Sequence, residues 1–250
     1  MGRMSVVFKR DFRELRQTSA FLIIIIVFTV ITIIAAVVTT VVLSRQEWLQ
    51  MEAVAKPILE LIIGLIAYFL PLFILMTFIW VFSSLPIIKE KVNGNIESLL
   101  ATPLSPKEIW IGKSLTIFLP GFAISVFSTL IVLLAVNFIT IRPATGNFFL
   151  PAPLLLTSFL INPLLFFGLL LFIVLFSLAN NPDIAIAPSF IVGFGLMIGI
   201  PLGVATGVIN LASWSFSLWY LAGTVVIWAV VCCLSRLLTK ENIVLSSKGD

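Results

Sequence analysis

Six long apolar runs, at about 20–43, 57–84, 114–138, 154–179, 184–206 and 215–238, alternate with short polar islands. At about 1.5 Å per helical residue, roughly 20 apolar residues cross a hydrocarbon core about 30 Å thick. Inside lipid such a run must satisfy its own backbone N–H and C=O groups, and a helix does so within one segment. The expected fold is therefore all-α, a polytopic membrane protein with six spans. The 250 residues are 60 % hydrophobic and 10 % charged, against about 45–50 % and 25 % in soluble domains. Little is left over for a separate soluble domain. The first run, 21–43, is too long for the apolar core of a signal peptide and lacks a small-residue cleavage site after it, so a retained span is expected.

Lysine and arginine set the orientation. With six spans both termini lie on one side, and that side holds twelve of the basic residues: Arg3, Lys9, Arg10, Arg13, Arg16, Lys89, Lys91, Lys107, Lys113, Arg236, Lys240 and Lys248. The opposite loops hold three, Arg45, Lys56 and Arg142. The positive-inside rule then places both termini and the block at 85–113 in the cytoplasm of a cell (plasma) membrane protein. The net charge of +4 follows from this asymmetry, and no basic groove interleaved with aromatics points to nucleic acid.

Several chemistries lack their residues. There is no histidine, which removes histidine-based zinc sites and Ser/His/Asp catalysis. The aspartates are Asp11, Asp183 and Asp250, too scattered for a carboxylate cluster. Cys232 and Cys233 are neighbours in an oily run and read as apolar filler, with palmitoylation as the alternative. No enzyme is expected, no directly bound cofactor and no metal. Gly112-Lys113-Ser114 mimics the end of a phosphate-binding loop, but position 107, where that loop needs glycine, is lysine, and a membrane helix follows.

The residues ahead of the first span have helical periodicity. Met4, Phe8, Phe12 and Leu15 fall on one face and Lys9, Arg13 and Arg16 on another. A basic amphipathic helix over 1–19 lies in the headgroup plane on the simpler reading, and on the other its polar face also touches a cytoplasmic partner. The stretch EKVNGNIESLLATPLSPKEIWIGK, at 90–113, is more ordered than a linker needs to be. Asn93-Gly94 can end a helix in the left-handed conformation. Ile96, Leu99 and Leu100 then make a small apolar knob on a short helix, with Glu97 pointing elsewhere. Pro103 breaks that helix. Ser105-Pro106-Lys107-Glu108 restarts one with a capping box and a proline in the first turn.

In the order of these residues the block resembles the signature region of ABC-2-type transporter permeases, the membrane subunits of ATP-binding-cassette exporters. The matches are Glu90, Lys91, Gly94, Glu97, Leu99, Leu100, Thr102, Pro103, Ser105 and Gly112-Lys113. The resemblance extends to the basic N-terminal helix, six spans over 20–240 and a short cytoplasmic tail over 241–250. It implies a half-transporter that pairs with a second permease copy or paralogue in the lipid bilayer and is driven by separate cytoplasmic ATPase subunits, which use the ATP. The coupling helix would be about 95–101, with Gly94, Ile96, Glu97, Leu99, Leu100 and Pro103 as ATPase-coupling residues. The N-terminal helix would be the connecting helix, with Phe8, Arg10, Arg13 and Glu14 facing the ATPase. The resemblance further implies a segment after the fifth span that re-enters the membrane, which the broken pattern over 201–214 permits.

Inside the spans, Gly195, Gly199, Gly203 and Gly207 recur every four residues and would let helices approach closely, within one subunit or across a dimer interface. Pro188 and Pro201 mark the fifth span for a bend. Glu60 is the one ionisable residue near membrane depth, and either gates a pathway or is solvated at the headgroups. Asn162-Pro163 reads as a helix distortion, and Asp183 as the N-cap of the fifth span. So few buried charges disfavour an ion-coupled carrier, and a pathway lined by Thr, Ser, Phe and Trp would tolerate amphipathic cargo. A non-transporting scaffold that docks some other cytoplasmic partner is the remaining alternative.

Overall fold

A computed structural model describes residues 3–50, 52–82, 105–179 and 182–238. Among the described residues every regular element is helical. The long helices are α1 (Arg3–Gln17), α2 (Ser19–Ser44), α3 (Glu52–Phe82), α4 (Pro106–Val136), α5 (Asn162–Ala179), α6 (Pro182–Ala205) and α7 (Trp214–Leu234). Among the described residues six stretches are long and apolar enough to cross a membrane: Ser19–Ser44, Ala55–Phe82, Pro106–Thr145, Ala152–Leu178, Ala187–Ala205 and Trp214–Leu234. The protein is thus a multi-pass membrane protein, with α2 to α7 as spans one to six. The block over 83–104 and the tail from 239 lie outside the described residues.

α4 is the hub of the bundle, packing against α1, α2, α3 and α5. Its start is as the sequence indicates. Ser105 is extended and its Oγ accepts from the Glu108 N–H at 3.3 Å, while the Ser105 N–H donates to Glu108 Oε2 at 2.8 Å. Both halves of the capping box are present, with Pro106 in the first turn where its missing N–H costs nothing. α4 then meets α3 so closely at Gly121 that a Cβ there would lie 2.9 Å from Phe78 Cγ. α5 is the most enclosed span, against α3, α4, α6 and α7. α2 and α6 lie at the rim, with most of their apolar side chains facing outward.

Two spans carry a π-turn, and each sits immediately before an X-Pro pair. Asn137–Ile141 precedes Arg142-Pro143, and Thr157–Ile161 precedes Asn162-Pro163. A helical proline cannot donate to the carbonyl four residues back and its ring crowds that carbonyl. Widening the turn by one residue relieves both problems. The distortion expected at Asn162-Pro163 is therefore present, as a π-turn just ahead of it.

The fifth span departs from expectation. α6 runs through Pro188 and Pro201 without a break and ends at Ala205. It begins at Pro182, which places Asp183 in the first turn instead of at the cap. Residues 206–213 form a compact turn with no helix in it, which is what breaks the sequence pattern there. Gly207 takes φ 74°, which a side chain would strain, and the turn is closed by the Ile209 N–H on the Gly203 carbonyl at 2.9 Å. Ser213 caps α7 by accepting from the Phe216 N–H at 3.2 Å.

The close approach at Gly121 yields a test. Gly121→Ala should destabilise the detergent-solubilised protein by about 1–3 kcal/mol, because the buried Phe78 ring has no room to yield. Gly223→Ala, where a Cβ meets nothing within 4 Å, should cause no loss. Thermal unfolding of both variants checks the pair.

Candidate functional site

Polar side chains are scarce in this bundle, and those that hydrogen-bond across from one span to another gather chiefly where α3, α5 and α7 meet. Tyr220 on α7 donates its hydroxyl to Asn162 Oδ1 at 2.6 Å, and Asn162 Nδ2 donates to the Tyr68 carbonyl on α3 at 3.3 Å. One turn away, Ser158 Oγ lies 2.6 Å from the Ala67 carbonyl and 2.8 Å from that of Leu154. Thr157 Oγ1 and Ser217 Oγ are 2.9 Å apart, and Ser217 also donates to the Pro153 carbonyl at 3.0 Å. All six residues, Tyr68, Thr157, Ser158, Asn162, Ser217 and Tyr220, are buried. The π-turn supplies Thr157 and Ser158, so the widened backbone is what aims them across to α3 and α7.

Tyr68 is the exception in this network. Its ring packs edge-on against Tyr220 with centroids 5.9 Å apart. Its hydroxyl is buried and has no hydrogen-bond partner among the described residues. Chemically the group is neutral throughout. It can recognise or register partners by hydrogen bonding, but it contains no nucleophile paired with a base. Among the described residues no three His, Cys, Asp or Glu side chains come together to hold a metal.

A second constellation lies at the end of the bundle that carries α1. Lys113, in the second turn of α4, is buried, and its Nζ lies 3.3 Å from Asp11 Oδ2. Arg10 Nε is 3.6 Å from the other Asp11 oxygen. The side of α1 turned into the bundle is therefore Val7, Asp11 and Leu15, one residue per turn, with Val7 and Leu15 buried. This corrects the face read from the apolar residues alone. Phe8 and Phe12 are half-buried at its flank and stack on each other at 5.6 Å. Asp11 can face inward because Lys113 meets it there, and a carboxylate with no such partner would not be buried. Lys113 is consumed inside this contact.

The other sequence-derived candidates separate clearly. Gly94, Ile96, Glu97, Leu99, Leu100 and Pro103 lie outside the described residues. Arg10, Arg13 and Glu14 are exposed on α1. Gly195 and Gly199 on α6 face open space, since a Cβ added to either would meet nothing of this chain within 4 Å. Gly203 packs against Ile209 of its own hairpin, and Gly207 lies beyond the helix in the turn. The four glycines are not one surface. Gly193, off that stripe, makes the close contact within the chain, against Met76 and Trp80 of α3. Glu60 is half-buried. Cys232 and Cys233 are free and exposed on α7.

Tyr68, Tyr220, Ser158 and Ser217 were not singled out by sequence reasoning. The available signal was modest: the chain's two tyrosines both fall inside apolar runs, where a phenol hydroxyl needs a partner. Which residues partner which depends on helix rotation, and no local pattern reveals that. Compared with known protein families, characterised proteins and solved structures, the chain matches none.

Each constellation makes a prediction. Tyr220→Phe leaves Asn162 Oδ1 without its donor and should cost about 1 kcal/mol, the usual scale for such bonds in membranes. Tyr68→Phe removes a hydroxyl that is already unpartnered and should cost nothing, so thermal unfolding should separate the two tyrosines. Lys113→Met strands Asp11 and should destabilise by about 3 kcal/mol, the low end for a broken buried pair because Arg10 stays beside it. Adding Asp11→Leu should restore most of that loss. Tryptic cleavage at Arg13 and Arg16 would report α1 coming loose in the single variant and reseating in the double.

Proposed function

We propose that the protein is the permease subunit of an ATP-driven ABC transporter of the ABC-2 type, an exporter whose pathway forms between two copies or between this chain and a paralogue. The observation that carries this reading is the seating of α1 on the base of α4 through Asp11 and Lys113. It supports the reading because it gathers three features at one end of the bundle. They are the exposed basic side of α1, the capped start of α4, and the point where the signature block over 90–104 enters α4. That end is the cytoplasmic one by the distribution of Lys and Arg.

In this mechanism the ATPase subunits press on the knob at 95–101 and on the exposed side of α1 that carries Arg10, Arg13 and Glu14. Both inputs reach α4 first, one through its capped N-terminus and the other through the Asp11–Lys113 pair. α4 touches α1, α2, α3 and α5, so its displacement is passed to most of the bundle. The seam of Tyr68, Asn162 and Tyr220 would make spans two, four and six respond as a unit. The outward Gly195 and Gly199 leave a flat strip on α6 for the second permease, in keeping with close packing at small residues.

The test is to extract the tagged protein in a mild detergent and look for a co-purifying subunit that hydrolyses ATP. A stoichiometric ATPase is expected. Leu99→Asp combined with Leu100→Asp should abolish its binding while membrane insertion stays normal, since the knob lies between spans. Unchanged ATPase binding by that double variant would remove the coupling role of 95–101. A protein that emerges alone in several mild detergents would overturn the permease reading itself.

A further inference from the structure

The end of the bundle opposite α1 contains a half-open cavity of about 470 Å³ between the start of α3 and the turn that follows α4. Its size falls within the roughly 300–1,000 Å³ of small-molecule sites. Leu59, Ile141, Phe148 and Phe149 give it an apolar wall, and Thr145 and Asn147 add polar groups. Among the described residues Lys56 is the only charged one that lines it. Lys56 has no ion-pair partner among the described residues. Glu60, one turn further along α3, does not line the cavity.

The wall is held in place by buried hydrogen bonds. Asn137, on the π-turn of the third span, is fully buried. Its Nδ2 donates to the Leu133 carbonyl at 2.9 Å, and its Oδ1 accepts the Phe149 N–H at 2.8 Å. Gly146 turns the chain with φ 77°, and Thr145 Oγ1 donates to the Ile141 carbonyl at 2.8 Å. Phe148 is backed in turn by Arg142, whose guanidinium carbon lies 5.3 Å from its ring centroid. A second cation therefore stands directly behind the aromatic wall.

Depth decides what would enter. The second span begins at Ala55, so a bilayer matched to that span would place Lys56 and the mouth of the cavity at headgroup level, with the buried Leu59 one turn deeper at its floor. An exposed ammonium beside a hollow that has an apolar, partly aromatic wall and a polar rim complements a molecule with an oxyanion at one end and a chain at the other. A small soluble anion would leave the apolar wall unused, and a neutral hydrocarbon would leave Lys56 unused. We propose that this cavity binds an acyl-chain amphiphile with an anionic head, its phosphate or carboxylate oxygens on Lys56 and its upper chain against Leu59, Ile141 and Phe149. The proposal does not rest on the permease reading, since it concerns the opposite end of the bundle and needs no ATPase.

The experiment is native mass spectrometry of the full chain in a neutral detergent, titrated separately with phosphatidylglycerol, phosphatidylcholine and laurate. The wild type should retain phosphatidylglycerol about fivefold more strongly than phosphatidylcholine, the preference one interfacial lysine supplies. Lys56→Glu should erase that preference. Ala144→Trp, which fills the cavity from an exposed lining position, should reduce retention of every ligand bound there. The two substitutions lie on different elements, so poor folding of one leaves the other informative. Retention of phosphatidylglycerol alone identifies a bilayer lipid as the occupant. Retention of laurate alone identifies a free acid, and retention of both shows that the oxyanion and chain suffice. Equal retention of anionic and zwitterionic lipid by the wild type, or anionic retention unaltered in both variants, overturns the proposal.

Discussion

Hydrocarbon offers no hydrogen bonds, so a polar group placed among the spans is driven to find its partner within the protein, and among the described residues Thr40, Tyr68, Trp80 and Ser177 are the exceptions. That constraint shapes this structure at every scale. At the smallest, Thr32, Thr116, Thr129 and Thr224 each donate a hydroxyl to the carbonyl four residues earlier, and thereby become apolar to the outside. At the next, proline's missing N–H is accommodated by π-turns in spans three and four. At the largest, side chains that cannot satisfy themselves locally cross between helices. Trp110 reaches the Leu171 carbonyl at 2.8 Å and Trp228 that of Leu164 at 2.9 Å. These bonds tie α4 and α7 to α5, the most enclosed span.

The same constraint concentrates polar function at two depths. In the middle of the bundle it produces a neutral seam, where Asn162 is shared between a tyrosine on α7 and a carbonyl on α3. At the end that carries α1 it permits charge, because Asp11 and Lys113 neutralise each other. A buried ion pair is weak evidence for added stability, since desolvation offsets much of the attraction. Its better-attested use is to fix one arrangement among several, and here it fixes the rotation of α1 against α4. A helix held by Val7 and Leu15 alone could turn to bury Phe8 and Phe12 instead. The pair is also what would make α1 and α4 move as one body under load.

Much of the fold was legible in the residue order. Five of the six spans fall within a few residues of the apolar runs, the third extends well beyond its run at both ends to Pro106–Thr145, and the capping box at Ser105 and Glu108 is found where its spacing placed it. The errors share a cause. Prolines at 188 and 201 drew attention to the fifth span, which runs on unbroken, whereas the helix widens before Pro163, as expected, and also before Pro143, which was not singled out. Nothing in the immediate sequence distinguishes these prolines from Pro71 or Pro120, which sit in unwidened helix. The four-residue glycine repeat has the right period for one helical stripe, but α6 ends before Gly207. The face of α1 was misassigned by grouping apolar side chains, a rule that cannot anticipate a carboxylate turned inward toward a lysine 102 residues away.

What the sequence by itself determined was therefore the number and lengths of the spans, the all-helical class and the start of α4, because each follows from composition over one segment and its caps. The Lys and Arg asymmetry added an expected orientation on the same local grounds. Only the tertiary structure decided that Tyr68, Asn162 and Tyr220 meet, that Asp11 faces Lys113, that Gly195 and Gly199 look outward, and that Lys56 overhangs an aromatic hollow. Each of these depends on the rotation of one helix against another. Between equally oily helices that rotation is chosen by shape and by the few polar groups needing partners, and the partners lie far apart in the chain.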